Sequence, residues 1–229
     1  MALVAGLVRG FSGFGAALIL APGLTLVMVP ADAVTMTILL NTATASQLLL
    51  PALRQTRWRD VGPMAAAALA VIPFGSLLLT ALDGLVVRRV IGAIVLGFSV
   101  VLLAGWRYRG GRSLPANLVV GALGGLLTGL AGVGGPPIIL YFLSGDRPMA
   151  ENRAGFISFF AVTQLAALVP LLWQGLVTGE LLLHTALLVP VFIVATHAGA
   201  RLFKYASEKL AHRLALGLLV AIGLATLLR

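Results

Sequence analysis

The stretch GLLTGLAGVGGPPIILYFL (Gly125–Leu143) places five glycines, Gly125, Gly129, Gly132, Gly134 and Gly135, and two prolines, Pro136 and Pro137, inside an otherwise apolar run. Proline lacks the amide that a helix interior needs, and glycine weakens that interior. A run apolar enough to cross a bilayer therefore carries a breaker at its centre. Its full extent, 116–143, is 28 residues. As a straight rod it would be roughly 42 Å long at 1.5 Å per residue, well beyond a hydrocarbon core of about 30 Å. Two arms of about 12 residues, joined by a glycine turn, would instead reach the midplane and return.

The rest of the chain has the same character. Of 229 residues, 60% are hydrophobic and 10% charged, more apolar than a soluble domain. Eight apolar segments run roughly over 2–29, 33–53, 61–82, 89–106, 116–143, 153–175, 180–203 and 212–228, joined by short polar linkers. No linker is long enough for a separate soluble domain, so 1–229 reads as a single transmembrane domain. The net charge of +9 comes from Lys and Arg grouped between the apolar runs. That is the habit of cytoplasmic membrane loops, not of a nucleic-acid surface. Trp58, Trp106 and Tyr108 beside the arginines suit anchoring at anionic lipid. There is no cysteine, which excludes disulfides, thiolate metal sites and a cysteine nucleophile. No basic n-region precedes the first apolar run, so no cleaved signal peptide is expected.

The chain repeats itself. GLVRGFSGFGAALIL (Gly6–Leu20) over GLLTGLAGVGGPPII (Gly125–Ile139), an offset of 119, matches at six of fifteen positions, including Gly6, Gly10, Gly13 and Gly15. An offset of 124 pairs Gly75 with Gly199 and Arg89 with Arg213. The halves are about 1–110 and 114–229, with four segments each. Charge tests their orientation. If all eight segments cross, Lys and Arg other than Arg9 split 7 against 8 between the two sides. If 116–143 enters and leaves on one side, the split becomes 12 against 3, which the positive-inside rule prefers. Carried to 2–29 by the repeat, each half holds a glycine-broken, re-entrant first segment and three crossings. An odd number of crossings makes the halves inverted, as in many secondary transporters. The expected fold is an all-α polytopic membrane protein.

The two glycine-rich openings, GFSGFGAALILAPGL (Gly10–Leu24) and GLAGVGGPPIILYFL (Gly129–Leu143), resemble the paired signatures of the sulfite exporter TauE/SafE family, also called the 4-toluene sulfonate uptake permease family. The resemblance covers nearly the whole chain. It implies a bacterial inner-membrane transporter for sulfite, sulfonates or related sulfur-containing anions. One departure is the first arm, which has little before Gly6.

The residues themselves point to an anion. After the turn at Gly132, Gly134 and Gly135, Pro136 and Pro137 suit the first turn of a new helix. Its N-terminus lies deep in the membrane, where free amides and the positive dipole end favour an oxyanion. Ser12, Gly13, Phe14 and Gly15 repeat the arrangement in the first half, and the two ends are expected to face one central cavity. The competing reading is close helix packing through small residues. Arg9, one residue before the first turn and matched by Thr128 in the repeat, could grip an oxyanion bidentately or snorkel to the surface. Asn41, Thr44 and Gln47, spaced by three, share a helical face. With Thr163 and Gln164 they are neutral donors that either line the cavity or glue helices together. His197 is a candidate proton relay or a structural residue. No Asp or Glu lies mid-span, so a carboxylate relay is not expected.

These features favour a secondary transporter or facilitator with a small anionic substrate, embedded in the lipid bilayer of the inner membrane. No cofactor, metal or nucleic acid is expected, and a homo-oligomer stays open. An intramembrane enzyme lacks a nucleophile–base pair. A non-transporting scaffold would show small-residue stripes without converging polar groups.

Overall fold

A computed structural model describes residues 1–12, 15–105, 108, 110–142, 149–202 and 208–228. Ten helices hold nearly all of them: α1 (Ala2–Ser12), α2 (Ala16–Thr25), α3 (Pro30–Gln55), α4 (Trp58–Ala81), α5 (Gly84–Leu103), α6 (Leu114–Ala131), α7 (Gly135–Phe142), α8 (Met149–Trp173), α9 (Gly179–Leu202) and α10 (Glu208–Leu228). No strand occurs among the described residues. The eight apolar segments thus return as helices, and the two glycine-rich ones are each divided into a pair. Five helices, within α4, α5, α6, α8 and α9, are long and apolar enough to cross a membrane.

The helices form two compact units, Met1–Leu40 with Leu82–Trp106 and Val177–Arg229, and Asn41–Ala81 with Arg107–Leu176. Each draws on both halves of the sequence, so the units cut across the repeats.

In the second unit, α6 begins at Ser113, whose hydroxyl accepts from the Ala116 amide at 3.4 Å, as an N-cap should. Gly121, Gly125 and Gly129 recur every fourth residue along α6. A Cβ on any of them would strike the backbone of Met64, Ala68 and Ile72 respectively on α4. The contacts advance in the same sense along both helices, which therefore run parallel with their backbones close together. In lipid, where apolar burial gives helices no reason to associate, such close van der Waals packing supplies it. Across the unit, the Thr56 and Ser158 hydroxyls bond at 2.7 Å, and the Gln174 amide donates to Ser76 Oγ at 2.9 Å. Each bond ties a helix to the residue just beyond the end of another; comparable bonds between helices average about 0.6 kcal/mol in a membrane protein.

The eight residues of α7, about 12 Å of helix, double back along α6. Tyr141 near the end of α7 donates its hydroxyl to Asn117 near the start of α6. Ile138 lies beside Gly124. Arg112, just before α6, donates to the carbonyl of Phe142, the last residue of α7, at 3.0 Å. The segment 114–142 returns to the end from which it left.

In the first unit, α1 packs on α9. A Cβ on Gly6 would meet Ala195 Cβ at 2.6 Å and the Phe192 carbonyl at 2.9 Å, and one on Gly199 would strike the Leu7 carbonyl. Helix α2 also doubles back, since the Met1 side chain rests on Gly23 near its end. Asp83 caps α5 by accepting from the Leu85 amide at 2.8 Å. The buried stripe of α5, Val87, Ile91, Val95 and Phe98, has helical spacing, and Gly92 and Gly223 let α5 and α10 approach closely. Thr226 of α10 donates to the Pro22 carbonyl of α2 at 3.3 Å.

Candidate functional site

Each glycine-rich segment changes from one helix to the next at its motif. Helix α1 ends at Ser12 and α2 starts at Ala16; α6 ends at Ala131 and α7 starts at Gly135. Both ends and both starts are related by the same offset of 119 found in the sequence.

In the second unit, Gly132 terminates α6 at φ 67°, a left-handed conformation that glycine adopts without a Cβ penalty. The amide of Gly132 donates to the Thr128 carbonyl at 2.9 Å and that of Val133 to the Leu127 carbonyl at 3.2 Å. These bonds satisfy two carbonyls of the last turn. Gly134 then tucks against α6, where a Cβ would collide with Thr128 Oγ1 and the Gly124 carbonyl. Thr128 is held there by its own bond to the Gly124 carbonyl, 2.7 Å. Gly135 differs, because a Cβ on it would meet the Phe160 ring at an ordinary 3.4 Å.

Pro136 and Pro137 occupy the first turn of α7, and neither has an N–H. At this helix start the glycines Gly134 and Gly135 are the residues with amides to offer. In the first unit, Gly15 precedes α2 at φ 92° without a side-chain cap, and the first turn (Ala16, Ala17, Leu18) contains no proline. That helix start keeps its donors. Gly13 and Phe14 lie outside the described residues, and so do the side chains of Ser12 and Gln47.

Arg9 sits in the last turn of α1, where a cation is favourable at the negative dipole end. Its guanidinium carbon lies 5.6 Å from the Phe192 ring centroid on α9, within cation–π range. In the second unit, Asn41 and Thr44 of α3 are buried, and Thr44 donates to the Asn41 carbonyl at 3.2 Å. Thr163 of α8 is also buried and turned onto its own helix, 3.0 Å from the Phe159 carbonyl. Gln164 is 7% exposed, and its Oε1 has no hydrogen-bond partner. It lies one helical turn beyond Phe160, the residue beside Gly135. His197 is exposed on α9, with Nδ1 3.0 Å from the Ile193 carbonyl. Among the described residues no three His, Asp or Glu side chains are grouped as metal ligands would be.

One polar group escaped the sequence reading. Arg112, whose side chain is 9% exposed, bonds Asn152 Oδ1 at 2.8 Å as well as the Phe142 carbonyl, and lies 3.9 Å from Asp60. Its guanidinium stands 4.9 Å from the Phe142 ring centroid. Asn117 and Tyr141, polar residues near opposite ends of an apolar segment, were the available signal. Arg112 looked like any other loop cation.

Comparison with known proteins gives three results. The model of a family described as sulfite exporter TauE/SafE matches residues 1–226. A curated protein of Cupriavidus necator, named "Probable sulfite/organosulfonate exporter TauE", is 33% identical over 229 residues, covering 95% of this chain and 87% of that protein. No solved structure matches the chain.

Proposed function

The chain belongs to the sulfite exporter TauE/SafE family, and from that premise we propose that it is a multi-pass transporter of the bacterial inner membrane. Its cargo is sulfite or an organosulfonate, and it works without catalysing a reaction. One observation carries this reading: the family match runs over residues 1–226, nearly the whole of the 229 residues.

In each unit the helix start that follows the break is suited to an anion. In the second hairpin, the amides of Gly134 and Gly135 face it, and the prolines fix the backbone. In the first, the start of α2 offers amides and Arg9 offers charge. Irregular backbone at membrane depth belongs where protein or a cavity surrounds it.

The two halves of the sequence are read as inverted copies. Equivalent contacts support the duplication. Gly125 rests on the Ala68 carbonyl as Gly6 does on that of Phe192, and Gly75 rests on the Leu126 carbonyl as Gly199 does on that of Leu7. These partners are related by the offsets of 119 and 124 read in the sequence. The inversion is supported by the 12-to-3 charge split and by the return of α7 to the start of α6.

The test is flux from liposomes holding purified protein, measured for sulfite, taurine, thiosulfate and sulfate with and without a pH gradient. Saturable sulfite or sulfonate flux is the expected result. Folded protein that moves none of the four solutes overturns the proposal.

A further inference from the structure

We propose that Arg112 is the positioning residue of the transport site: it fixes the depth of α7, and through α7 the anion affinity of the helix start at Gly134 and Gly135. The inference rests on the reading that the anion meets that helix start.

Arg112 gathers four elements. It precedes the N-cap Ser113 of α6. It approaches Asp60 in the first turn of α4 and bonds Asn152 in the first turn of α8. Its third partner is the Phe142 carbonyl, at the C-terminal end of α7, where helix carbonyls lack internal partners and a cation is favoured. One nitrogen, Nη2, serves both Phe142 and Asn152, while Nη1 faces Asp60. A planar fork with five N–H groups can serve several acceptors at once; a lysine ammonium cannot hold the same fixed geometry.

Such a short helix transmits this grip. With eight residues, α7 is about 12 Å long, so its start lies two turns from its anchored end. Tyr141, bonded to Asn117 and 6.0 Å from the Arg112 guanidinium, adds a second tie at that end. A shift of the anchored end moves the Gly134–Gly135 amides with it. Hydrogen bonds to an oxyanion weaken steeply with misalignment.

The experiment compares wild type with Arg112→Lys, Arg112→Gln and Asn152→Ala in full-length protein. Amide hydrogen exchange over residues 135–142 reports on α7, and liposome sulfite flux reports on the site. Both Arg112 variants should speed α7 exchange and raise KM about tenfold, with maximal flux within about twofold of wild type, because neither reproduces the fork. Asn152→Ala, which removes one acceptor, should raise both about threefold and decides the matter if Arg112→Gln does not fold. Unchanged α7 exchange in folded Arg112→Gln overturns the proposal. So does faster exchange with wild-type KM, or a KM that rises in Arg112→Gln but not in Arg112→Lys, which would mark a simple charge effect. If wild type carries no sulfite, the transport reading fails. Faster α7 exchange in the Arg112 variants then still upholds Arg112 as what holds the helix, and unchanged exchange still overturns it.

Discussion

Gly134 and Gly135 stand side by side and differ in what a methyl group would meet. At Gly134 it collides with Thr128 and the Gly124 backbone; at Gly135 it makes ordinary contact with Phe160. Gly135 also lacks the positive φ that penalises other residues. Gly134→Ala should therefore cost about 1–3 kcal/mol through overpacking, seen as a lower thermal midpoint. Gly135→Ala should keep the midpoint and raise KM for sulfite, because its methyl crowds an oxyanion at the adjacent amide. Wild-type KM for Gly135→Ala would remove that amide from the site. Arg9 is the second residue to test. Losing a hydrogen bond to a charged group costs about 1.5–3 kcal/mol, so Arg9→Ala should raise KM at least tenfold. A wild-type KM would take Arg9 out of the site. The glycine doublet was legible in the sequence, but the difference between its members was not, because it depends on which way α6 faces. Arg112 was illegible for a related reason. Its partners lie 30 and 40 residues away, and nothing local separates it from its exposed neighbours.

Helices resolve two glycine roles that the sequence superimposes. Gly132 turns the chain, whereas Gly121, Gly125 and Gly129 are a packing stripe against α4. Both kinds sit in one apolar run, and close helix packing accounts for the second. The eight segments were legible because apolar length is a coarse, additive signal. The breaks were legible because two helix-breaking residue types coincide with a repeat. The pairing of α6 with α4 and of α1 with α9 was not, because a GxxxG face does not name its partner. It leads to a prediction at this scale. Gly125→Leu should separate α6 from the Ala68 carbonyl, and Gly6→Leu should separate α1 from Phe192. Each should lower the thermal midpoint strongly and reduce the yield of monodisperse protein. Gly97→Leu on α5 is the control, since nothing lies within 4 Å of an added Cβ there. Equal behaviour of the three variants in size-exclusion and thermal-melt assays would remove the glycine stripe as the cause.

For the molecule as a whole, the charge count and the local geometry bear independently on one question, namely which loops share a side of the membrane. Counting Lys and Arg puts the linkers near 54–60, 107–113 and 144–153 together on the cytoplasmic side. The bond from Arg112 to Asn152 and its approach to Asp60 join the same three regions from side-chain positions alone. Eight simple crossings would put Arg112 and Asn152 on opposite faces, about 30 Å of hydrocarbon apart. The cysteine-free chain makes this directly measurable. Single cysteines at Arg57, Gly111 and Arg153, all exposed positions, should react with a membrane-impermeant maleimide only from the cytoplasmic face, in inside-out vesicles. A cysteine at Leu82, between α4 and α5, should react only from the opposite face, in right-side-out cells. Opposite labelling of positions 111 and 153 would mean that 114–142 crosses the bilayer. The parity that makes the halves inverted would then fail, and with it the expectation that each half presents its broken helix from its own side.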